Sequence, residues 1–148
     1  LIGDLAREIW NAHYVPIIGE GQVNYMLGKG YSPEGIRDSM HKGERFFLCH
    51  RDGNVIGYLS VTKKNTQEYF INKFYLNIAE QGRGAGKRYF SLLLAEIGDP
   101  AVMRLQVNRK NYKTINFYFR LGFVIEYAKD FDIGEGYSMD DFVMIRKR

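Results

Sequence analysis

The feature of this sequence that most constrains its fold is a glycine-rich segment, QGRGAGKR, at residues 81–88. An apolar, aromatic run precedes it at residues 69–76, and a helical pattern follows at residues 85–97. When a strand ends in such a turn and a helix follows it, several backbone N–H groups point into one small space in front of the positive end of the helix. Glycines at alternate positions leave no Cβ to keep a ligand away from the backbone. The segment therefore predicts an anion-binding loop, above all for a phosphate.

The spacing of the loop excludes two common phosphate-binding patterns. A Walker loop needs glycine at position 81 and Ser or Thr at position 88, where this chain has Gln81 and Arg88. A dinucleotide fingerprint needs a third glycine where this chain has Lys87. The remaining order, Gln-x-x-Gly-x-Gly after a strand, is typical of loops that hold the pyrophosphate of coenzyme A. The cations Arg83, Lys87 and Arg88 favour this interpretation over a turn that only reverses the chain.

Length and composition fit one folded domain, residues 1–148. Of the 148 residues, 45% are hydrophobic and 15% aromatic, with charges interspersed, as expected of a globular chain and not of a disordered one. No apolar run approaches the ~20 residues that cross a bilayer, and no signal peptide is recognisable, so no membrane partner is expected. Cys49 is the single cysteine, which excludes a disulfide within the chain and makes the cytoplasm the predicted location.

The charge distribution narrows the class of ligand. The net charge of +4 fits a polyanionic small ligand and also fits nucleic acid. Lys and Arg are scattered, without an interleaved aromatic and basic pattern, so no nucleic-acid partner is expected. His13, His41 and His50 lie far apart with no cysteine pair, so no metal site is predicted.

Periodicity and turn residues predict an α/β domain with helices first, then an antiparallel meander, a βαβ unit and a closing hairpin. Helices are predicted at residues 4–14 with Asp4 as cap, near 22–27, from Ser32-Pro33 to Gly43, at 85–97 and at 111–121. Strands are predicted at residues 45–50, 54–63, 67–77, 101–107, 123–131 and 137–146.

The helix that begins near residue 111 carries a second pattern. Asn111, Thr114 and Tyr118 lie at i, i+3 and i+7 and share one face, roughly 10 Å long. This face is long enough to follow an extended ligand, with an amide at one end and a phenol at the other. Ile115 and Phe119 face elsewhere and are expected to pack in the core.

Together the two patterns resemble the GNAT superfamily of N-acetyltransferases. Residues 74–86 match the family's first motif, a strand followed by (Gln/Arg)-x-x-Gly-x-(Gly/Ala) and a helix. Residues 111–123 match its second motif, Asn-x-x-Ala-x-x-Phe-Tyr-x-x-x-Gly-Phe, with Thr114 where alanine is usual. The resemblance implies a mixed, mostly antiparallel sheet flanked by helices. The family begins with a strand before its first helix, so we expect this N-terminal edge strand to be missing from the sequence.

The resemblance also implies the site. Acetyl-CoA, without a metal, would bind in a splayed cleft between two parallel strands, and Tyr118 would lie near the thioester sulfur as the catalytic residue. Backbone groups of Phe74, Tyr75 and Leu76 would pair with the pantetheine, and a backbone N–H near Leu76 would bind the oxyanion. The remaining cofactor contacts implied are Gln81, Gly82, Arg83, Gly84, Ala85, Gly86, Lys87 and Asn111.

The chemistry needs a base, because deprotonating an alkyl amine with a pKa of ~10.4 at pH 7 costs roughly 4–5 kcal/mol. The sequence leaves four candidates open: Glu68, Glu20, His13 and Asp141. Cys49 lies in an apolar strand with no partner that would lower its pKa, so direct attack in a ternary complex is favoured over a covalent intermediate.

The sequence does not distinguish between a small amine, an amino acid and a protein amine as the acceptor. Residues 10–43 are expected to form much of the acceptor cleft. The alternative function is a non-catalytic or regulatory module that holds acyl-CoA without turnover. The long, aromatic closing strands and the missing edge strand also predict a homodimer.

Overall fold

The computed structural model describes residues 1–77, 80, 82 and 84–148, and of these the side chains of His13 and Phe131 are not described. The predicted anion-loop residues Gln81 and Arg83 therefore lie outside the described part. The described helices are α1 (Ile2–His13), α2 (Val15–Ile18), α3 (Glu20–Gly30), α4 (Pro33–His41), α5 (Ala85–Ile97) and α6 (Tyr112–Arg120). The described strands are β1 (Glu44–Arg51), β2 (Asn54–Asn65), β3 (Glu68–Leu76), β4 (Val102–Asn108), β5 (Val124–Gly134) and β6 (Tyr137–Lys147).

The described strands form one sheet in the order β1-β2-β3-β4-β6-β5. All neighbouring pairs are antiparallel except β3 and β4, which are parallel and joined through α5. A parallel pair needs such a crossover, and a helix is its usual form. The mixed, mostly antiparallel sheet flanked by helices confirms the predicted fold class.

A β-bulge lies in β3 at the point where the sheet opens. Ser60 pairs with Lys73 and Val61 pairs with Ile71, so Asn72 is the extra residue on β3. The bulge reverses the alternation of side chains: Ile71 faces the same core as Leu76, although their positions differ by five, and in a regular strand an odd difference would place them on opposite faces. The described pairing of β3 with β4 ends at Ile71, opposite Leu105.

Beyond this point β3 and β4 each stay paired with the neighbour on their other side. β3 pairs with β2 as far as Leu76, and β4 pairs with β6 as far as Asn108. The middle of the sheet therefore opens between residues 72–76 of β3 and 106–108 of β4. This is the splayed cleft that the resemblance implies.

The sheet has a hydrophobic core on each face. One core lies under α5 and α6 and contains Phe90, Ile115 and Phe123; Ile115 is buried as predicted, but the prediction for Phe119 is wrong, since its side chain is exposed. The other lies under the N-terminal helices and is built around Trp10 and Tyr58. Because both faces are covered, any ligand that enters the opening is surrounded by protein on two sides.

The observed elements differ from the predicted ones mainly near the N-terminus. The first helix begins at Ile2, so Asp4 lies in its first turn and is not its cap, although its charge still favours that end of the helix dipole. The short helix α2, with Pro16 in its first turn, was not predicted. The predicted start of α4 is confirmed, since Gly35 N donates to Ser32 Oγ at 3.0 Å. The first described element is the helix α1.

Candidate active site

The opening between β3 and β4 contains a small cavity of about 60 Å³. Its walls are the diverging strand segments, and α1 and α6 close it from the two faces of the sheet. The lining residues are Ile9, Tyr14, Ile71, Asn72, Lys73, Phe74, Tyr75, Leu76, Leu105, Gln106, Val107, Thr114 and Tyr118. The opening thus connects the two sides of the sheet.

On the α5–α6 side the opening continues into a larger cavity of about 340 Å³. The two cavities share Phe74, Leu76, Thr114 and Tyr118. The other residues that line the larger cavity are Gly82, Gly84, Gly86, Lys87, Lys113, Phe117 and Arg120. Its charged lining residues within the described chain are all cations, so the cavity suits an anionic ligand.

The glycine-rich loop supplies uncapped backbone N–H groups to this cavity. Gly82 and Gly84 have left-handed φ angles of 78° and 75°, which side chains rarely adopt. Gly84 is the N-cap of α5, and no side chain caps the helix. The first N–H groups of an α-helix have no partner within the helix, so the start of α5 is suited to bind an anion.

Gly86 has a different role from the two glycines before it. A Cβ at Gly86 would lie 2.7 Å from Cζ and 2.9 Å from Cε1 of Phe117. Apart from the chain neighbours, none of the described residues has an atom within 4 Å of a Cβ placed at Gly82 or Gly84. Gly86 therefore allows α5 to approach α6, and Phe117 in turn packs edge-on against Phe74 at 5.9 Å.

Tyr118 lies where the two cavities meet. Its ring is 6% exposed and is held between Phe117 and Phe123, with ring centroids 5.5 and 5.6 Å away. Burial raises the pKa of the phenol above its ordinary value of 10.0, and the nearby Tyr14 raises it further. The side chain remains a neutral hydrogen-bond donor over the whole physiological range.

Three other predicted site residues are absent from the lining of the larger cavity, and of these Ala85 is buried in the core on the α5–α6 side. Asn111 is 2% exposed, and its Nδ2 donates to the hydroxyl of Tyr14 at 3.4 Å. Tyr75 offers its backbone to the opening, while its side chain packs in the core under the N-terminal helices. The predicted contact of Asn111 with the cofactor stays a prediction.

The opposite side of the opening is aromatic. The rings of Trp10, Tyr14 and Tyr75 contact one another, with centroids 4.9 to 5.9 Å apart. Burial raises the pKa of the Tyr14 phenol to about 12. Tyr14 lines both the opening and a cavity of about 50 Å³ beyond it, so aromatic side chains border the opening on this side.

The four candidate bases differ in their environments. Glu68 is paired with Arg104 at 2.8 Å, Glu20 is exposed at the start of α3, and the side chain of His13 lies outside the described part. Asp141 is 1% exposed and lines the cavity beyond Tyr14. Burial raises the pKa of its carboxyl from 3.8 to about 6, while Arg109 lowers this pKa and Asp140 raises it.

Cys49 is buried in the core on the α5–α6 side. Burial raises the pKa of its thiol from 9.0 to about 12, so the thiolate is scarce at any physiological pH. It is absent from the lining of every cavity described here. These observations agree with the predicted packing role of this side chain.

Sequence reasoning did not identify three residues of the site. Lys113 and Arg120 line the cationic cavity, and their spacing of seven residues on α6 was a helical-face signal that could have found them. Tyr14 lies close to Asn111, but 97 positions separate them in the sequence. No local pattern connects residues at such a separation.

Two further observations on the described residues concern metal sites and membrane-spanning helices. Within residues 1–77, 80, 82 and 84–148, no three His, Cys, Asp or Glu side chains come together as a metal site. Nor is any helix in this part of the chain both long enough and apolar enough to span a bilayer.

Comparison with known proteins identifies the family. The model of the GNAT family of acetyltransferases matches residues 7–123. An uncharacterized N-acetyltransferase of Mycobacterium tuberculosis is 31% identical over 135 residues, which are 89% of this chain and 86% of the relative.

Solved structures support the same assignment at the level of the fold. The PaiA N-acetyltransferase of Thermoplasma acidophilum, in complex with coenzyme A, has a TM-score of 0.79 at 22% identity and covers 99% of this chain and 90% of its own. A GNAT acetyltransferase of Elizabethkingia anophelis with acetyl-CoA bound has a TM-score of 0.64 at 12% identity, covering 83% and 88%. From the family model and the mycobacterial relative, the chain belongs to the GNAT family and is an acetyl-CoA-dependent N-acetyltransferase.

Proposed function

We propose that this protein transfers the acetyl group of acetyl-CoA to a primary amine by direct attack in a ternary complex. The observation that carries the proposal is the opening between β3 and β4. A cationic, glycine-lined cavity lies on one side of it and an aromatic cavity on the other. Two substrates that enter from opposite faces of the sheet would meet there, which is the arrangement that direct transfer needs.

The cationic cavity is where acetyl-CoA would bind. The uncapped start of α5, together with Gly82, Gly84 and Lys87, would hold the pyrophosphate by backbone hydrogen bonds and charge. Gln81, Arg83, Ala85 and Gly86 belong to the same proposed loop. Backbone groups of Phe74, Tyr75 and Leu76 would pair with the pantetheine as a neighbouring strand would, and Asn111 stays a proposed contact.

Tyr118 would act at the sulfur of the thioester. A phenol is a weaker acid than a thiol, with ordinary pKa values of ~10 and ~8.5, so full proton transfer to the leaving thiolate is uphill by at least ~2 kcal/mol. Burial, which raises the pKa of Tyr118, increases this difference. Tyr118 therefore stabilises the departing sulfur chiefly by donating a hydrogen bond, and a backbone N–H near Leu76 stabilises the oxyanion.

Direct attack is favoured because the chain has no thiol suited to act as a covalent nucleophile. Cys49 is the single cysteine and is buried with a raised pKa. A primary amine is the proposed acceptor because the aromatic rings on its side of the opening attract cations. Nucleic acid and membranes are not part of the proposed function, and the proposed location is the cytoplasm.

The assembly proposed is a homodimer formed through β5. This strand lies at the edge of the described sheet, and Val124, Ile125 and Tyr127 on it are 41–58% exposed. An exposed edge with apolar side chains favours pairing with a second copy. Light scattering at high protein concentration checks this, and a monomeric mass would contradict it.

The experiment that tests the function monitors release of the CoA thiol while a panel of amines is offered as acceptors. Acetyl-CoA alone should stabilise the protein, by about 2.7 kcal/mol at 100 times its dissociation constant, which a melting curve resolves. Thiol release should then require an amine. A folded protein whose melting temperature does not respond to saturating acetyl-CoA would refute the proposal.

A further inference from the structure

Asp141 is a buried carboxylate on the face of the sheet opposite the glycine-rich loop. It lies on β6 and is 1% exposed, while its neighbour Phe142 packs against the core on the α5–α6 side. Its Oδ2 atom is buried and has no hydrogen-bond partner in the part of the chain that the structure describes. A buried carboxylate oxygen without a donor is costly, which indicates that a donor arrives with a ligand.

Arg109 lowers the pKa of the Asp141 carboxyl but is itself paired with another carboxylate. Arg109, in the turn after β4, places Nη2 2.5 Å from the carboxylate of Asp130. Asp140 is next in sequence and adds negative charge, and Lys129 is its register partner on β5. Tyr14, between α1 and α2, lines the same cavity as a neutral phenol. Within the described residues, none of the ion pairs includes Asp141.

The cavity at Asp141 leads to the opening. Asp141 lines a space of about 50 Å³ whose walls include Tyr14, Tyr75, Gln106 and Val107. The same four residues line the opening between β3 and β4. A group held at Asp141 is therefore separated from the diverging strands by a single layer of side chains.

The cavity also leads outward. Trp10, Met26, Tyr75 and Met139 are shared with a surface cavity of about 520 Å³ between the N-terminal helices and the closing hairpin. That volume accommodates an arm of several carbon atoms. The outer cavity is also lined by Lys29, Asp38, Lys42 and Lys73, and the inner cavity leads past Trp10 and Tyr75 to the Asp141 carboxylate. Aromatic rings and a carboxylate both attract an alkylammonium ion.

We propose that Asp141 binds the ammonium group of the acceptor and accepts its proton, so that the acceptor is a primary amine carried on a largely apolar arm. This rests on the acetyl transfer proposed above. One ammonium proton passes to the Asp141 carboxylate, directly or through one water. The amine lone pair then forms the C–N bond to the thioester carbon, and the C–S bond breaks. The second proton of the nitrogen goes to the departing thiolate, to which the Tyr118 hydroxyl donates a hydrogen bond, and this gives the amide and the CoA thiol.

The proposal has a consequence that is measurable without any substrate. Because the carboxyl pKa is higher in the folded protein than in the unfolded chain, the folded state loses stability as pH rises from about 4 to about 6. The isosteric Asp141→Asn variant carries no charge to bury. It should therefore melt at a higher temperature than the wild type at pH 8, and the difference should disappear toward pH 4.

The test compares wild type, Asp141→Asn and the control Asp140→Asn, which changes the exposed neighbouring carboxylate. The probes are benzylamine and n-butylamine, with benzyl alcohol and 1-butanol as neutral counterparts. At pH 8 the amines should raise the melting temperature of the wild type and of Asp140→Asn more than the alcohols do, and Asp141→Asn should lose this preference. With acetyl-CoA present, kcat/KM for the amines should fall at least ~100-fold in Asp141→Asn.

The pH profile separates a proton acceptor from a structural carboxylate. For the wild type, kcat/KM should decline below about pH 6, where the carboxyl of Asp141 is protonated, and this limb should be absent from Asp141→Asn. A variant that is less stable than the wild type at pH 8, or that keeps the amine preference and the rate, would overturn the proposal. If acetyl-CoA does not bind any of the three proteins, the proposed function fails, while the comparison of amines and alcohols still decides the role of Asp141.

Discussion

The two sides of the opening are built in different ways. On the proposed coenzyme side, the candidate anion site consists of backbone groups at the start of α5, where Gly82 and Gly84 have left-handed conformations and no side chain of the N-cap residue caps the helix. On the proposed acceptor side, the cavity is lined by residues from the first three helices and from β3, β4 and β6, among them Trp10, Tyr75 and Asp141. The coenzyme side depends on local conformation, and the acceptor side depends on tertiary packing.

This difference indicates how each side responds to amino-acid substitutions. A backbone site tolerates exchange of neighbouring side chains, because its hydrogen bonds come from the main chain, but it fails when a side chain or a like charge is added. A site made of distant side chains can be changed one residue at a time. The coenzyme side suits one constant substrate, and the acceptor side can differ between relatives that share the fold.

The largest effect is expected from Gly84→Asp. The new carboxylate would stand at the uncapped start of α5, where the pyrophosphate is proposed to bind, and repel it. At least two backbone hydrogen bonds to an anion are at stake, each worth ~1.5–3 kcal/mol, so affinity for CoA should fall about 10³-fold. Calorimetric titration with CoA measures this.

The control for this variant is Gly53→Asp. Gly53 has a left-handed φ of 81° and open space at its Cβ position, but it lies in the turn between β1 and β2. Asp at the two positions meets the same backbone strain. Gly84 is preferable to Gly86 for this test, because a side chain at Gly86 would also collide with Phe117. Normal CoA affinity in folded Gly84→Asp would show that the loop is only a turn.

The next largest effect is expected from Tyr118→Phe, at the junction of the two sides. The ring and its contacts with Phe117 and Phe123 are kept, so CoA affinity should change little. A donor that acts only as charge develops on sulfur contributes to turnover, and the single-turnover rate should fall about 10²-fold. Tyr69→Phe, in the same core, is the matched control. A rate equal to that of the control would make Tyr118 a packing residue.

The contrast between the two sides also explains how much the sequence could predict. The strand, loop and α5 follow one another in sequence, so their geometry could be inferred from residues 69–97, and α5 is found at Ala85–Ile97 as predicted. The same holds for Thr114 and Tyr118, which share a helical face and line the opening.

The acceptor side could not be predicted in this way. Asp141 was one of four possible bases, and burial, which raises its pKa, results from packing between β6 and helices more than a hundred residues away. The bulge at Asn72 likewise has no local sequence signal, although it accompanies the divergence of β3 from β4. Long-range packing determines both features, and short-range patterns do not report it.

A smaller effect is expected when two cations of the coenzyme side are neutralised. Lys113 and Arg120 line the cavity from α6 and are exposed. Exposed charges contribute ~0.2–1 kcal/mol each, so Lys113→Gln and Arg120→Gln should each weaken CoA binding about two- to five-fold. The effect should shrink as salt is added.

Arg88→Gln is the control for these two variants, since Arg88 is exposed on α5 and is not among the lining residues. Titration with CoA at low and high salt measures all three. An effect of Arg88→Gln as large as the others would mean that net charge, and not the position of these cations, determines affinity.

The smallest effect on turnover is expected from Cys49→Ala. If the acceptor attacks the thioester directly, neither side of the opening supplies a nucleophile, and removing this thiol should leave kcat/KM within about twofold of the wild type. With the thiol pKa raised to about 12, fewer than ~1 in 10³ molecules carry the thiolate even at pH 8.5, because each pH unit below the pKa reduces this fraction tenfold. The variant should lose stability, since a buried side chain is shortened. Mass spectrometry of the wild type incubated with acetyl-CoA alone completes the test. An acetylated Cys49, or a burst of CoA thiol before any amine is added, would place a covalent step on the coenzyme side and contradict direct attack.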